Sequence, residues 1–410
     1  MTLVSRRARL FVPAAVIVAA ISLATTRGEA HKPITSKYTF NEDVFPIFRD
    51  KCGRCHVEGG VAPMSLMNYQ DAFPWAESIR AELIASHMPP WNAEVGFGEL
   101  KQATLLTARE VDVILTWAIG GNPPGDPAHK PPPMKMNNEW TMGEPNVKLR
   151  LPEFTVPVDT IEEVQEFTVA TGTTEPRWVR AVDLLPGNPS IVRSAVIYVK
   201  GVTESGAVPQ PEHVLARWLP GQDPEPTQNG TAFKLPAGAE LGVRVHYKKT
   251  WQFERKEMAD RSTIGVYFAP EKSAQELLTL PLDSPVADAA KGGTVTFSRT
   301  IDQDVQALAL APDRVPPNIT VQVQAILPDG SRAPMIRLNT RADWSRRYWF
   351  ERLITLPRGS RIEVMANLAD PDILSAALGG SSPPKPTTSI FPMRLALNLV
   401  LAHTTPAAGR

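Results

Sequence analysis

Apolar residues recur with a helical period early in the chain and in short strand-like runs after it. Between residues 38 and 121 the pattern predicts three helices. The first is capped by Asn41, carries Val44, Phe45 and Phe48 on one face, and leads into Cys52; Pro46 removes one hydrogen bond near its start. The second runs from Gln70 to Ser86, with Ala72, Ala76, Ile79 and Leu83 on a shared face and Pro74 tolerated in the first turn. The third opens on a capping box, Thr107 with Glu110. Val111, Ile114, Leu115 and Ala118 then repeat at i, i+3, i+4 and i+7, and Gly120, Gly121, Pro123 and Pro124 end the helix.

The stretch "NPPGDPAHKPPPMKMN" at 122–137 reads as an extended, semi-rigid linker. Beyond about 145 the texture changes. Runs at 191–201, 239–249, 262–269, 294–301, 319–330, 348–356 and 360–369 are rich in β-branched and aromatic residues, and several end in Gly, Pro or Asp-Gly. Such repeated short strands predict a β-sandwich or jelly roll, and the stretch is long enough for two, divided near "SPVADAAKGG" at 284–293. The expected fold is therefore multidomain. A small all-α domain at 31–121 is followed by a Pro-rich linker at 122–144, then by two all-β jelly-roll or β-sandwich domains at 145–286 and 287–410.

Composition narrows the function. The chain has 410 residues, 43 basic and 43 acidic, for a formal net charge of zero, and no basic stripe, so nothing points to nucleic acid. Residues 1–30 read as a signal peptide: Arg6, Arg7 and Arg9 precede the mostly apolar run Leu10 to Ala24, and small residues follow. That run is shorter than the about 20 residues a membrane span needs. The expected location is the periplasm or another extracytoplasmic space, with membrane attachment only if the signal segment stays uncleaved.

The chain holds two cysteines, both in "CGRCH" at 52–56. This is C-x-x-C-H, the c-type haem attachment sequence. Two thiols one helical turn apart suit thioether bonds to two haem vinyl groups, and the histidine directly after the second suits the iron. A zinc site lacks a second cysteine pair, and a thioredoxin-like pair would follow a strand rather than a helix. One covalent haem c is expected, with Cys52 and Cys55 as anchors and His56 as proximal iron ligand. The distal candidates are Met88, in the rigid loop "HMPPW", then Met64, with Met67 and His87 behind them.

The stretch "VFPIFRDKCGRCHVEGGVAPMSLMNYQDAFPWAESIRAELIASHMPPW" with "LTAREVDVILTWAIGG" resembles a class I cytochrome c domain of the type bacteria fuse to copper type II, ascorbate-dependent monooxygenase domains. The β region, through "WVRAVDLLPGNPSIVRSAVIYV", "RWLPGQDPEPTQNGTAFKLPAGAELGVRVHYKKTW" and "AILPDGSRAPMIRLNTRADWSRRYWFERLITLPRGSRIEVMANLADP", is similar to the two jelly-roll domains of peptidylglycine hydroxylase-like enzymes. The resemblance implies two coppers, one held by a His-His pair and a third His, the other by His-x-His and a Met. Here Arg193 and Ser194 stand at the pair, and Asp313 and Val315 at or near the His-x-His; only His246, in "VHYKK", remains as a vestigial copper-ligand position. Seven scattered histidines form no HH, H-x-H or H-x-x-x-H pair. Copper is therefore not expected.

The expected function is an exported mono-haem cytochrome transferring electrons to or from redox partner proteins, its β region serving for docking or as a scaffold. The alternatives are a copper monooxygenase fed by the haem, and a haem peroxidase-like enzyme with an open sixth position.

Overall fold

A computed structural model describes residues 35–101, 105–200, 213–270, 275–284, 293–341, 344–368 and 393–402. The expected signal segment at 1–30 and most of the expected division at 284–293 lie outside the described residues.

A small helical region is followed by antiparallel sheets forming β-sandwiches. The principal helices are α1 (Phe45–Lys51), α2 (Ala76–Ile84) and α3 (Ala108–Ile119). Helix α3 starts as its sequence demands: the Glu110 amide donates to the Thr107 hydroxyl, and the Glu110 carboxylate accepts from the Thr107 amide at 2.6 Å. Asn41 does not cap the first helix. A π-helical turn, Phe40–Val44, precedes α1, and the Asn41 side chain instead donates to the Asp126 carbonyl. The second helix is broken by Pro74. A single turn, Tyr69–Ala72, is capped by Asn68 and passes through a 3₁₀ turn at Phe73–Trp75 before α2 begins. Phe40, Phe48, Ile114 and Trp117 are fully buried at the centre of this region, Trp117 edge-on to Phe48.

The Pro-rich stretch does not stand free as a spacer. Phe40 and Asn41 donate their amides to Pro123 and Pro124, Lys135 bridges Glu58, and Met134 and Met136 pack on the helical core.

In the first β unit a sheet ordered Val147–Arg150, Thr263–Phe268, Arg177–Leu185, Thr231–Leu235, Gln275–Glu276 faces a sheet ordered Glu162–Ala170, Glu240–Lys248, Val192–Lys200, Val214–Trp218. All pairs are antiparallel except Gln275–Glu276 on Thr231–Leu235. In the second unit Leu278–Asp283, Arg394–Leu401, Val305–Arg314 and Tyr348–Leu356 face Thr294–Thr300, Arg361–Asn367, Thr320–Ile326 and Arg332–Asn339. Alternating burial along Thr320–Ile326 follows from its alternating sequence, and Val321, Val323 and Ala325 enter the core with Ala307, Leu310 and Leu397 of the opposite sheet.

Two segments sit away from where sequence placed them. Leu278–Asp283, ahead of the expected division at 286, pairs with Arg394–Leu401 in the second unit's sheet. The segment around 92–101, expected within the helical domain, lies along the second β unit. Ala93 bridges Leu338 and Leu100 bridges Phe350, and both side chains enter the core of that unit.

Candidate functional site

The C-x-x-C-H motif continues the end of α1. The Cys52 amide caps the helix on the Phe48 carbonyl, and the amides of Cys55 and His56 both return to the Cys52 carbonyl. This turn brings all three residues to the lining of one cleft of ≈ 1540 Å³, mouth included. Phe48, Leu66, Ile79 and Ile114 add apolar surface. The His56 ring Nδ1 lies 3.2 Å from the Met64 carbonyl. A carbonyl only accepts, so Nδ1 carries the proton and Nε2 keeps its lone pair. Burial lowers the affinity of the His56 ring for a proton, opposed by that hydrogen bond.

Both thiols are free of a disulfide. Burial pushes Cys52 up to about 12 and Cys55 up to about 11, the latter opposed by the charges of Arg54, Arg193 and Arg346. They are protonated at neutral pH and so are not primed as thiolates.

Among the distal candidates, the Met88 and Met64 side chains both line the cleft. Met64 also supplies the carbonyl that holds His56, so its backbone stands on the His56 side. Met67 is only 3% exposed and packs into the helical core. His87 pairs with Glu82, Nδ1 to Oε2 at 3.0 Å.

The walls of the cleft come from the helical region and both β units. The motif and the loop after it are fastened to the first β unit. Arg54 forms a two-pronged ion pair with Asp223 at 2.7 and 2.6 Å, the Cys55 thiol lies 3.6 Å from the Pro220 carbonyl, and Ser190, Arg193 and Gln252 donate to the carbonyls of Gly59, Val61 and Pro63. Gly221, at φ +71°, approaches so closely that a Cβ there would stand 2.6 Å from the Cys55 sulfur. The second β unit contributes Trp344 and Arg346. Arg346 is 6% exposed; one guanidinium nitrogen donates to the Pro90 carbonyl at 2.9 Å, and its Nε has no partner among the described residues.

Sequence reading missed Arg346 and the 219–225 loop as parts of this site. The available signal was a pair of arginines, Arg346 and Arg347, inside the aromatic run "SRRYWF", where a solvated face would not place Tyr and Trp.

The positions resembling copper ligands are occupied otherwise. His246 pairs across strands with Ser194 and Val164, and its Nε2 lies 2.8 Å from a Glu162 carboxylate oxygen. Arg193 donates to Val61 at 2.7 Å. Asp313 forms an ion pair with Arg217, each side chain 7% exposed. Among the described residues no three His, Cys, Asp or Glu side chains gather as a site for a bare metal ion.

No protein-family model and no curated protein matches the chain. Among solved structures it is similar to an allantoicase, at 9% identity and a TM-score of 0.18, covering 58% of this chain and 78% of that one. It is also similar to a serum fucolectin of striped bass, Morone saxatilis, at 10% identity and a TM-score of 0.16, covering 53% and 86%. An 11S allergen of coconut, Cocos nucifera, is similar at 9% identity and a TM-score of 0.14, covering 62% and 89%.

Proposed function

We propose that the chain is an exported mono-haem c-type cytochrome that transfers electrons, and that its β region builds part of the haem site rather than binding copper. One observation carries the reading: Cys52, Cys55 and His56 line a single, mostly apolar cleft, with the His56 ring oriented by the Met64 carbonyl. The residues fit the group. Cys52 and Cys55 would hold it through their sulfurs, His56 Nε2 would bind its iron, and Met88 would take the far side. When bound, haem would supply one-electron exchange at iron.

The chain's own residues orient and enclose. The Met64 carbonyl fixes the His56 tautomer, a role usual for the second partner of a metal-binding histidine. The apolar wall excludes water, which favours the less charged state of any redox centre placed there. Its partner is a periplasmic redox protein, with membrane attachment only if residues 1–30 are retained.

The copper monooxygenase alternative meets Arg193, His246 and Asp313 already engaged in protein contacts. The peroxidase-like alternative requires an open sixth position.

Intact-mass measurement with iron and copper quantification on chain purified from the extracytoplasmic fraction tests the reading. One covalently added haem, one iron and no stoichiometric copper are expected. A chain without added mass, or one carrying two coppers, overturns it.

A further inference from the structure

The loop carrying Met88 runs directly into a strap seated on the C-terminal β unit. Backbone bonds fasten the strap at both ends: Asn339 to Asn92, Glu94 to Arg337, Lys101 to Trp349 and Glu351 to Glu99, all between 2.8 and 2.9 Å. Ala93 and Leu100 enter the second β core, and Trp91 packs edge-on against Tyr348 with ring centroids 5.2 Å apart. Gly98, at φ +77°, lies against the Met335 carbonyl where no Cβ fits. Arg337 and Arg352 add ion pairs to Glu94 and Glu99.

The Met88 loop itself has little behind it. Met88 and Pro89 line the cleft that holds His56 and also a second cleft, bounded by Leu83, Trp91, Asn318 and Thr340. The loop is a thin partition between two spaces, so packing on its far side does not fix it. On its helix side the amides of His87 and Met88 return to the Glu82 carbonyl; on its strap side Arg346 holds it, the guanidinium donating to the Pro90 carbonyl and lying over the Trp91 ring, 5.4 Å from its centroid. A buried planar donor with one bond on the loop and its ring neighbour beneath sets both the height and the direction of the chain leaving Met88.

We infer that Arg346, from the C-terminal β unit, is the positioning residue for Met88, so the second β-sandwich controls the far side of the haem site. This rests on the cytochrome reading above. Its energetic form is a closed and an open loop in equilibrium. An added ligand that competes for iron binds only the open form, and its apparent affinity is its intrinsic affinity multiplied by the fraction open. Loosening the loop raises that affinity even if no contact to the iron changes.

The test is imidazole titration of the full, haem-bearing chain, followed by its visible spectrum, with intact mass taken in parallel. Met88→Ala sets the upper limit. Arg346→Ala is expected to retain the covalent haem yet bind imidazole at least about tenfold more tightly than the unaltered chain, the factor being the rise in the open fraction. Arg346→Lys, which keeps a donor but not the planar fork, is expected in between. Leu100→Ala, which truncates the strap's anchor in the second core, is expected to shift affinity in the same direction and serves if Arg346→Ala fails to fold. Unchanged affinity in Arg346→Ala and Leu100→Ala, with Met88→Ala elevated, overturns the inference and leaves the cytochrome reading standing. Unchanged affinity in Met88→Ala overturns the inference through its ligand assignment. Absence of covalent haem from the unaltered chain overturns both.

Discussion

At the residue scale the chemistry turns on burial. Asp183 lies 5% exposed in the first β unit, and burial pushes its carboxyl up to about 6, opposed by a hydrogen bond from the Leu184 amide. Its folded pKa stands above the unfolded value near 3.8. Between these values the unfolded chain has released a proton that the folded chain keeps, so stability falls as pH rises from about 4 to about 6 and this contribution is then constant. Asp183→Asn removes the loss. Urea midpoints should show the variant gaining on the parent by up to about 3 kcal/mol between pH 4 and pH 8, from about two pKa units at 1.36 kcal/mol each. Equal midpoint differences at both pH values would show that Asp183 ionises freely. Of the candidate-site residues, Cys52, Cys55 and His56 were legible as a contiguous motif. The Met64 carbonyl that orients His56 was not, because a backbone acceptor leaves no side-chain signature.

At the element scale, helices with clear punctuation were legible. Thr107 and Glu110 start α3 where the capping box places it, whereas Pro74 splits the second helix more than its first-turn position suggested. Strands such as Thr320–Ile326 were found through their β-branched content and the turn signals after them. Arg177–Leu185 and Val305–Arg314 were not, because in these strands, buried on both faces, Ala and Leu outnumber β-branched residues. The 219–225 loop carries a sharper expectation. Gly221→Ala places a Cβ in a left-handed backbone position and 2.6 Å from the Cys55 sulfur. It should cost about 1–3 kcal/mol, read as a lowered Tm for the full chain. An unchanged Tm would mean that the loop does not press on the motif.

At the scale of the whole molecule, the two sandwiches are joined by charge as well as apolar surface. Leu308, Ala309, Trp349 and Val400 of the second unit pack into the first unit's core. The buried pair Arg217–Asp313 crosses between the units, and Arg347 donates to the carbonyls of Val214 and Leu215 at 3.1 Å. Asp313→Ala leaves Arg217 buried and unpaired and should cost about 3–5 kcal/mol in chemical denaturation, while replacing both by apolar residues should cost far less. Equal losses in the single and double variants would contradict this. Contacts of this kind join residues about a hundred positions apart, and nothing local in the sequence marks them. Hence the sequence suggested an extended, semi-rigid linker at a domain boundary, where the structure has that stretch docked on the helical region and a strap from that region running along the second sandwich.

The central claim, a single electron-transferring haem framed by the helical region and both β units, is tested most directly by redox titration of the purified full chain, monitored through its visible spectrum. A reversible wave for one electron, with a low-spin spectrum lost in Met88→Ala, is the expected result. A chain without a reversible visible chromophore, or one whose redox response comes from copper, would contradict it.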